Sequence, residues 1–451
     1  MRVLLISTYD MGRQPFGLAS PAAWLRAAGH EVDCVDLTRS KLSEGLVQGA
    51  ALVAFYLPMH TATRLALAVI DRVRALNPAV HICAYGLYAP LNADILRAHG
   101  AQTILGPEFE GDLAGLASGI SRLKAGAIYQ AAAVAGDALP RVAFIAPDRS
   151  DLPPLTRYAS LQVGGERRVV GYTEATRGCK HRCRHCPIVP VYDGRFRAVP
   201  VDVVLADIRA QVAAGAQHIT FGDPDFFNGP THGLAIVDAL AREFPGLSYD
   251  VTIKVEHLRQ QAAALPRLRD TGCAFVTSAV ESFDDEVLGR LEKGHTHADF
   301  VEVVGHARAA GLALSPTFVA FTPWTTLDGY CGQLREIERL GLVPAISPIQ
   351  YAIRLLIPQG SRMLELEDVR TRIERFDPAS LTHVWRHADP RVDALQQRLE
   401  QLVGSRLNAP RDEVFAHVWD LAYAAAGVVP PPREPLPSRA TVPYLNEPWY
   451  C

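Results

Sequence analysis

Along its first 120 residues the chain alternates short apolar runs with amphipathic stretches. Val3-Leu4-Leu5-Ile6-Ser7 is an apolar run that ends in polar turn residues, and a helix over 19–28 follows, closed by Gly29. Residues 31–37 alternate as a second strand, 51–56 form a third and 81–85 a fourth, with an amphipathic stretch at 62–76. This alternation predicts a parallel sheet covered by helices on both faces. Such sheets bind ligands at the carboxyl ends of their strands, but no G-x-G-x-x-G follows the first run, which argues against a dinucleotide.

A second β/α series begins near Val169. Its strand candidates are 169–173, 218–221, 249–254, 274–279, 312–318 and 345–349, with helices between them such as 201–214 and 285–291. Six units of this kind predict a partial (β/α)6 barrel. Pro140, Pro147, Pro153 and Pro154 mark a connecting segment ahead of it. From 364 the pattern turns helical, with Trp385, Phe415 and Trp419 as core anchors, and the Pro-rich run 430–437 stiffens a tail. The expected organisation is an α/β chain: a Rossmann-like domain (1–125), a connecting segment (126–165), a β/α barrel (166–363), a helical region (364–429) and a Pro-rich tail (430–451).

Length and charge then narrow the function classes. The 451 residues suit two or three domains, and 45 basic against 48 acidic residues give a formal net charge of -3. No nucleic-acid or anionic-membrane partner is implied. No apolar run is long enough to span a bilayer, the N-terminus lacks the layout of a secretion signal, and a cytoplasmic location is expected. Eight cysteines are too few for a disulfide scaffold. Cys34, Cys83, Cys273 and Cys331 are scattered, each read as a small buried hydrophobe. Cys179, Cys183 and Cys186 fall within eight residues, and Cys451 is the last residue of the sequence.

The segment Arg177-Gly178-Cys179-Lys180-His181-Arg182-Cys183-Arg184-His185-Cys186-Pro187 follows the first barrel strand, and barrel sites form at the carboxyl ends of strands. Its C-x3-C-x2-C spacing offers three thiolates to one soft-metal centre. An iron–sulfur cluster so held keeps one iron open to an outside ligand. The other reading is structural zinc with His181 or His185 as fourth ligand. Lys180, Arg182 and Arg184 are expected to lower the thiol pKa values.

On these residues the chain resembles the radical S-adenosylmethionine (SAM) enzymes, over roughly 165–365. The resemblance implies a [4Fe-4S] cluster on Cys179, Cys183 and Cys186 whose open iron binds SAM. Ile219-Thr220-Phe221-Gly222-Asp223-Pro224-Asp225-Phe226-Phe227 is similar to the SAM amino-group motif of the branch with an N-terminal cobalamin-type domain, which places Asp223 and Asp225 at the ammonium. Ala279-Val280-Glu281-Ser282, with Leu288 and Lys293-Gly294, is similar to that branch's G-x-E-S…L…K-G pattern, with Ala279 in place of the usual Gly. It implies Glu281, Ser282 and Lys293 near SAM. Lys254 and Glu256 end the third barrel strand, and Arg354, beside Gln350 and Tyr351 after the sixth, is a candidate for the SAM carboxylate. Residues 21–25, Gly29-His30-Glu31-Val32 and Gly106-Pro107-Glu108-Phe109-Glu110 resemble cobalamin-binding domains, but Asp10-Met11-Gly12 lacks the histidine of D-x-H-x-x-G, which leaves cobalamin open.

Pro443-Tyr444-Leu445-Asn446-Glu447-Pro448-Trp449-Tyr450-Cys451 is similar to a radical SAM subfamily ending E-P-W-Y-C, then Cys or selenocysteine, then Ala-Glu-Pro. A product truncated before a selenocysteine and a natural terminus are the two readings of Cys451. The subfamily is similar to the arsinothricin-biosynthesis enzyme, which transfers the 3-amino-3-carboxypropyl group of SAM to arsenite. That implies Cys451 as a catalytic holder of arsenite and a low-potential donor such as flavodoxin or ferredoxin. A cobalamin-dependent radical methyltransferase or cyclase is the alternative, and a non-enzymatic zinc- or arsenic-binding protein is a third class. His383 and His387 at i,i+4 read as helix-face packing beside Trp385, and His295 and His297 as loop residues.

Overall fold

The structure, a computed structural model, describes residues 1–120, 142–406, 409–433 and 444–446. The N-terminal strands are β1 (Arg2–Ser7), β2 (Glu31–Asp36), β3 (Leu52–Tyr56), β4 (His81–Tyr85) and β5 (Thr103–Leu105). They form one parallel sheet in the order β2-β1-β3-β4-β5. Apolar residues point to both faces, so Leu4, Ile6, Val53 and Phe55 join one core and Val3, Leu5, Leu52 and Ala54 the other. The strand order reverses between β1 and β3, and the carboxyl ends of those strands open a crevice there. The strand β5 is missing from the sequence reading because three residues carry too little alternation. Cys34, on the edge strand β2, is partly exposed, while Cys83, Cys273 and Cys331 are buried as expected.

The second body is an α/β half-barrel. An antiparallel pair, β6 (Ser160–Val163) and β7 (Glu166–Thr173), leads to the short pair β8 (Thr176–Gly178) and β9 (Phe196–Ala198). The strands β10 (His218–Phe221), β11 (Ser248–Thr252), β12 (Cys273–Glu281) and β13 (Ala313–Phe318) then add in parallel to β7. Helices such as Val201–Ala213, Pro230–Glu243 and His297–Ala310 cover the outer face, and the core of this body lies between them and the sheet. Among the described residues the curled sheet contains five parallel strands rather than six. Residues 345–349 instead lie in and between two single-turn 3-10 helices, Val343–Ala345 and Pro348–Tyr351. Pro344 and Pro348 explain the correction, since neither can donate to a ladder.

The region after 364 is also not wholly helical. The strands β14 (Ile373–Asp377) and β15 (Thr382–Trp385) form a hairpin before the helices Pro390–Ser405 and Arg411–Ala426. His383 is therefore on a strand, its ring edge-on to Phe376, and His387 is in the following turn, so the helix-face reading of that pair is corrected. Trp385, Phe415 and Trp419 are buried, as expected. Tyr444–Asn446 forms β16, which pairs antiparallel with β6 and extends the half-barrel sheet by one strand. Residues 121–141, 407–408, 434–443 and 447–451, Cys451 among them, lie outside the described residues. Among the described residues, no helix is long and apolar enough to cross a membrane.

Candidate active site

The three-cysteine loop leaves β8 through Gly178, whose φ is +76°. A Cβ there would stand 2.4 Å from the Tyr192 ring and 2.6 Å from the Arg195 carbonyl oxygen, so only glycine fits this exit. The loop is pinned on both sides. Asn228 donates to the Gly178 carbonyl at 3.1 Å and accepts from the Lys180 amide at 3.1 Å, while the Arg184 amide donates to Leu291 at 2.8 Å. A turn closes inside it, the Cys186 amide donating to Cys183 at 3.1 Å. Cys183 is buried, and Cys179 and Cys186 are half-buried.

The thiols lie close enough to raise one another's pKa. Burial pushes Cys179 up to about 11 and Cys186 up to about 12. The expectation that Lys180, Arg182 and Arg184 depress these thiols is thereby corrected. Arg182 pairs with Asp193 and Arg184 with Glu292 and Glu365, directed away from the sulfurs. The cations that do act on them come from distant segments: Lys254, ahead of the helix Val255–Gln260, lowers Cys179, and Lys293, after the helix Asp285–Arg290, lowers Cys186. Three convergent sulfurs backed by two buried ammonium groups fit a thiolate-held iron–sulfur cluster with one open iron. The two loop histidines take other partners, His181 meeting Lys254 and His257, and His185 meeting Glu281 through Nε2.

His181 Nδ1 lies 3.0 Å from Lys254 Nζ, and its Nε2 lies 3.2 Å from His257 Nε2. Lys254 Nζ also donates to Glu256 at 3.1 Å. His257 Nδ1 stands 2.6 Å from Asp225 Oδ2 without hydrogen-bond alignment. Ligand atoms of His181, Asp225 and His257 fall within 4.8 Å of one another, a spacing a metal ion can use. The Lys254 ammonium against His181 opposes a further cation there. Burial works against ionisation of Asp225, but the two imidazoles hold its carboxyl below the usual range.

The other loop histidine, His185, meets Glu281 at 3.1 Å, and Lys293 Nζ donates to the same Glu281 oxygen at 3.2 Å. Glu281 sits at φ +70°, beside a register shift between β12 and β13. The pair is nearly dry, with 4% and 8% of the side chains exposed. Burial opposes the Glu281 charge, but Lys293 and then His185 bring its pKa down to about 2. Ser282 caps its own turn by accepting from the Asp284 amide at 3.0 Å.

Below this layer lies a lumen of about 200 Å³. Hydroxyls from three adjacent strands meet there in register, Thr252 opposite Thr277 and Thr277 opposite Ser315. Asp223 lines it, accepting from the Thr176 hydroxyl at 2.6 Å and the Ala175 amide at 3.0 Å. Burial pushes the Asp223 carboxyl up to about 7 in spite of those bonds. Asp250 accepts from Thr220 at 2.6 Å and lies 2.8 Å from His218 Nε2. Tyr444 and Leu445 of β16 form part of the same wall.

The structure thus places Asp225, Lys254, Glu256, Glu281 and Lys293 about the loop that carries Cys179, Cys183 and Cys186, with Ser282 next to Glu281 and Asp223 on the lumen wall. It does not bring Arg354 there. Arg354 donates to Asp393 and the Trp385 carbonyl, both at 2.7 Å, with its guanidinium 3.5 Å from the Trp385 ring centroid, so it faces the C-terminal hairpin. Gln350 does line the lumen and accepts from the Phe318 amide at 2.9 Å. His257, Asp250 and the hydroxyl layer carry no local signal in the sequence, since Asp250 and the hydroxyls meet through cross-strand register and His257 reaches Asp225 from the helix Val255–Gln260.

Residues 173–325 match the radical SAM superfamily. This part of the chain is a radical SAM domain. Among curated relatives, the tRNA-2-methylthio-N(6)-dimethylallyladenosine synthase of Chlorobium luteolum is 28% identical over 202 residues, which are 43% of each chain. The ribosomal protein uS12 methylthiotransferase RimO of Geobacter sulfurreducens is 22% identical over 222 residues, 44% of this chain and 48% of that one. The chain therefore spans about half the length of the curated relatives it matches. Among solved structures, the cobalamin-dependent SAM radical enzyme OxsB, with aqua-cobalamin and SAM bound, superposes at TM-score 0.70 and 14% identity, covering 94% of this chain and 71% of that one. The radical SAM methyltransferase TsrM of Kitasatospora setae gives 0.58 at 16% identity, over 75% and 70%. These last two likenesses describe the fold.

Proposed function

We propose that the chain is a radical SAM transferase that moves the 3-amino-3-carboxypropyl group of SAM to arsenite held at Cys451. The observation that carries this reading is β16. Its Leu445 shares the lumen wall with Asp223, and Cys451 follows six residues later. Six extended residues span at most about 20 Å, which bounds how far Cys451 can lie from β16. A terminal thiolate is a soft donor and suits trivalent arsenic, a soft acceptor.

Cys179, Cys183 and Cys186 would hold a [4Fe-4S] cluster, which, reduced by a flavodoxin- or ferredoxin-type donor, would supply the electron for breaking the Cγ–S bond of SAM with release of methylthioadenosine. The chain's own residues do the binding. Asp223 and Asp225 accept hydrogen bonds from the substrate ammonium. Glu281 and Ser282 face the carboxypropyl and ribose portions, and Lys254 and Lys293 offset the charge of the sulfurs. The Thr252, Thr277 and Ser315 hydroxyls supply donors and acceptors to the polar part of the acceptor.

Anaerobically reconstituted protein with SAM, a low-potential reductant and arsenite tests this by mass spectrometry. Methylthioadenosine and an aminocarboxypropyl-arsenic product are expected, and Cys451→Ala is expected to lose the arsenic product while still releasing methylthioadenosine. Deoxyadenosine without an arsenic adduct overturns the reading. It would promote the alternative, cobalamin-dependent methyl transfer or cyclisation at a carbon centre, on which the likeness to OxsB, at 14% identity, bears through the fold alone.

A further inference from the structure

We infer that the crevice of the N-terminal domain is not a cobalamin site but the socket that holds the cysteine loop. Ligands of such sheets sit outside the carboxyl ends of the strands flanking the order reversal, here β1 and β3. In this chain that place is narrowed to a pocket bounded by Tyr56, Met59, Gly86 and Phe109 on one side and by Tyr172 and Arg177 on the other. Tyr56, at the end of β3, lies 5.6 Å from the Tyr85 ring and 6.1 Å from the Phe109 ring, centroid to centroid. It packs so tightly on Gly17 that a Cβ there would stand 2.2 Å from the phenol ring. Tyr85 in turn donates to the Gly17 carbonyl at 2.8 Å.

Across the crevice the two bodies are joined directly. Arg177, two residues before Cys179, donates to both Glu110 oxygens, at 2.6 and 3.0 Å, and to Glu174 at 2.9 Å. Tyr192, just after the loop, donates to Glu108 at 2.7 Å. The Arg177 guanidinium also lies 5.9 Å from the Phe109 ring centroid and 5.7 Å from that of Phe16. What remains is a cavity of about 230 Å³. A cavity of about 150 Å³ holds benzene. A corrin with its nucleotide needs several times that, and Arg177 and Tyr192, held by Glu110 and Glu108, form part of the wall. The D-x-H-x-x-G histidine is likewise missing at Asp10-Met11-Gly12. The residues present therefore do not fit cobalamin. They fit a positioning role, in which the planar Arg177 fork fixes the angle at which the loop leaves β8.

The test uses the full chain, anaerobically reconstituted, incubated with hydroxocobalamin and passed through gel filtration. Less than about a tenth of an equivalent of corrinoid is expected to remain while the iron–sulfur absorbance is retained. Near-stoichiometric retention overturns the inference, whatever acceptor the enzyme uses, and does so without touching the nucleoside assay above. Arg177→Lys supplies the second readout, since lysine keeps the charge but loses the fork. Its iron content is expected to match the parent, with the reduced-cluster electron paramagnetic resonance (EPR) lines broadened. An unchanged spectrum removes the socket role, and if the variant fails to fold the corrinoid measurement still decides.

Discussion

Replacing Cys183 by alanine is expected to abolish both the cluster and SAM cleavage while leaving the fold in place. Cys183 is the most buried of the three loop cysteines, and two thiolates cannot close a four-iron site. The loop is pinned by Asn228 and Leu291 rather than by the sulfur, so its backbone has no reason to unravel. Truncating one small buried side chain costs about 1 kcal/mol. Iron analysis, absorbance and circular dichroism check this together. Iron at parental stoichiometry, or a chain that no longer folds, contradicts the assignment.

Glu281→Gln carries the second large effect, because it strands a buried cation. Lys293 loses the carboxylate that balances it in a nearly dry setting, and removing one partner of such a pair costs roughly 3–5 kcal/mol. A clear fall in the thermal midpoint and loss of SAM cleavage are both expected. The double variant Glu281→Gln/Lys293→Met removes the stranded charge, so it is expected to recover much of the stability but none of the cleavage. Recovery of both would reduce the pair to a packing element. The pH dependence has a defined sign. The folded-state pKa of about 2 is below that of an ordinary carboxylate, so the pair's contribution is complete above about pH 5 and is lost as pH falls toward 2. The double variant is expected to lose that part of the acid sensitivity.

The parts of this fold that could be read from the sequence are those with a strong local period. The strands β1, β4 and β10 and the helix Val201–Ala213 fall within a residue of their apolar patterns, because each buries its side chains against a helix-covered sheet. The cysteine loop was legible for a different reason, since three soft ligands in eight residues are rare without a metal. Residues 345–349 have the apolar character of a strand, but Pro344 before them and Pro348 within them exclude a ladder. The β14–β15 hairpin was lost in a stretch read as helix, although Thr382-His383-Val384-Trp385 has a β-branched, aromatic character. Arg354 could not be placed because chain position gives the strand end but not the direction of the guanidinium. The basic residues of the cysteine loop misled for the same reason. Arg182 and Arg184 are adjacent to the thiols in sequence yet reach outward to carboxylates, while Lys254 and Lys293 reach inward from distant elements.

The central claim is that Cys179, Cys183 and Cys186 hold one cluster whose open iron takes SAM. EPR of the dithionite-reduced, reconstituted protein with and without SAM tests it most directly. A single [4Fe-4S] signal whose g values shift on adding SAM is the predicted result, with the shift abolished in Asp225→Asn at unchanged iron content. A signal indifferent to SAM, or stoichiometric zinc in place of iron, would contradict the account.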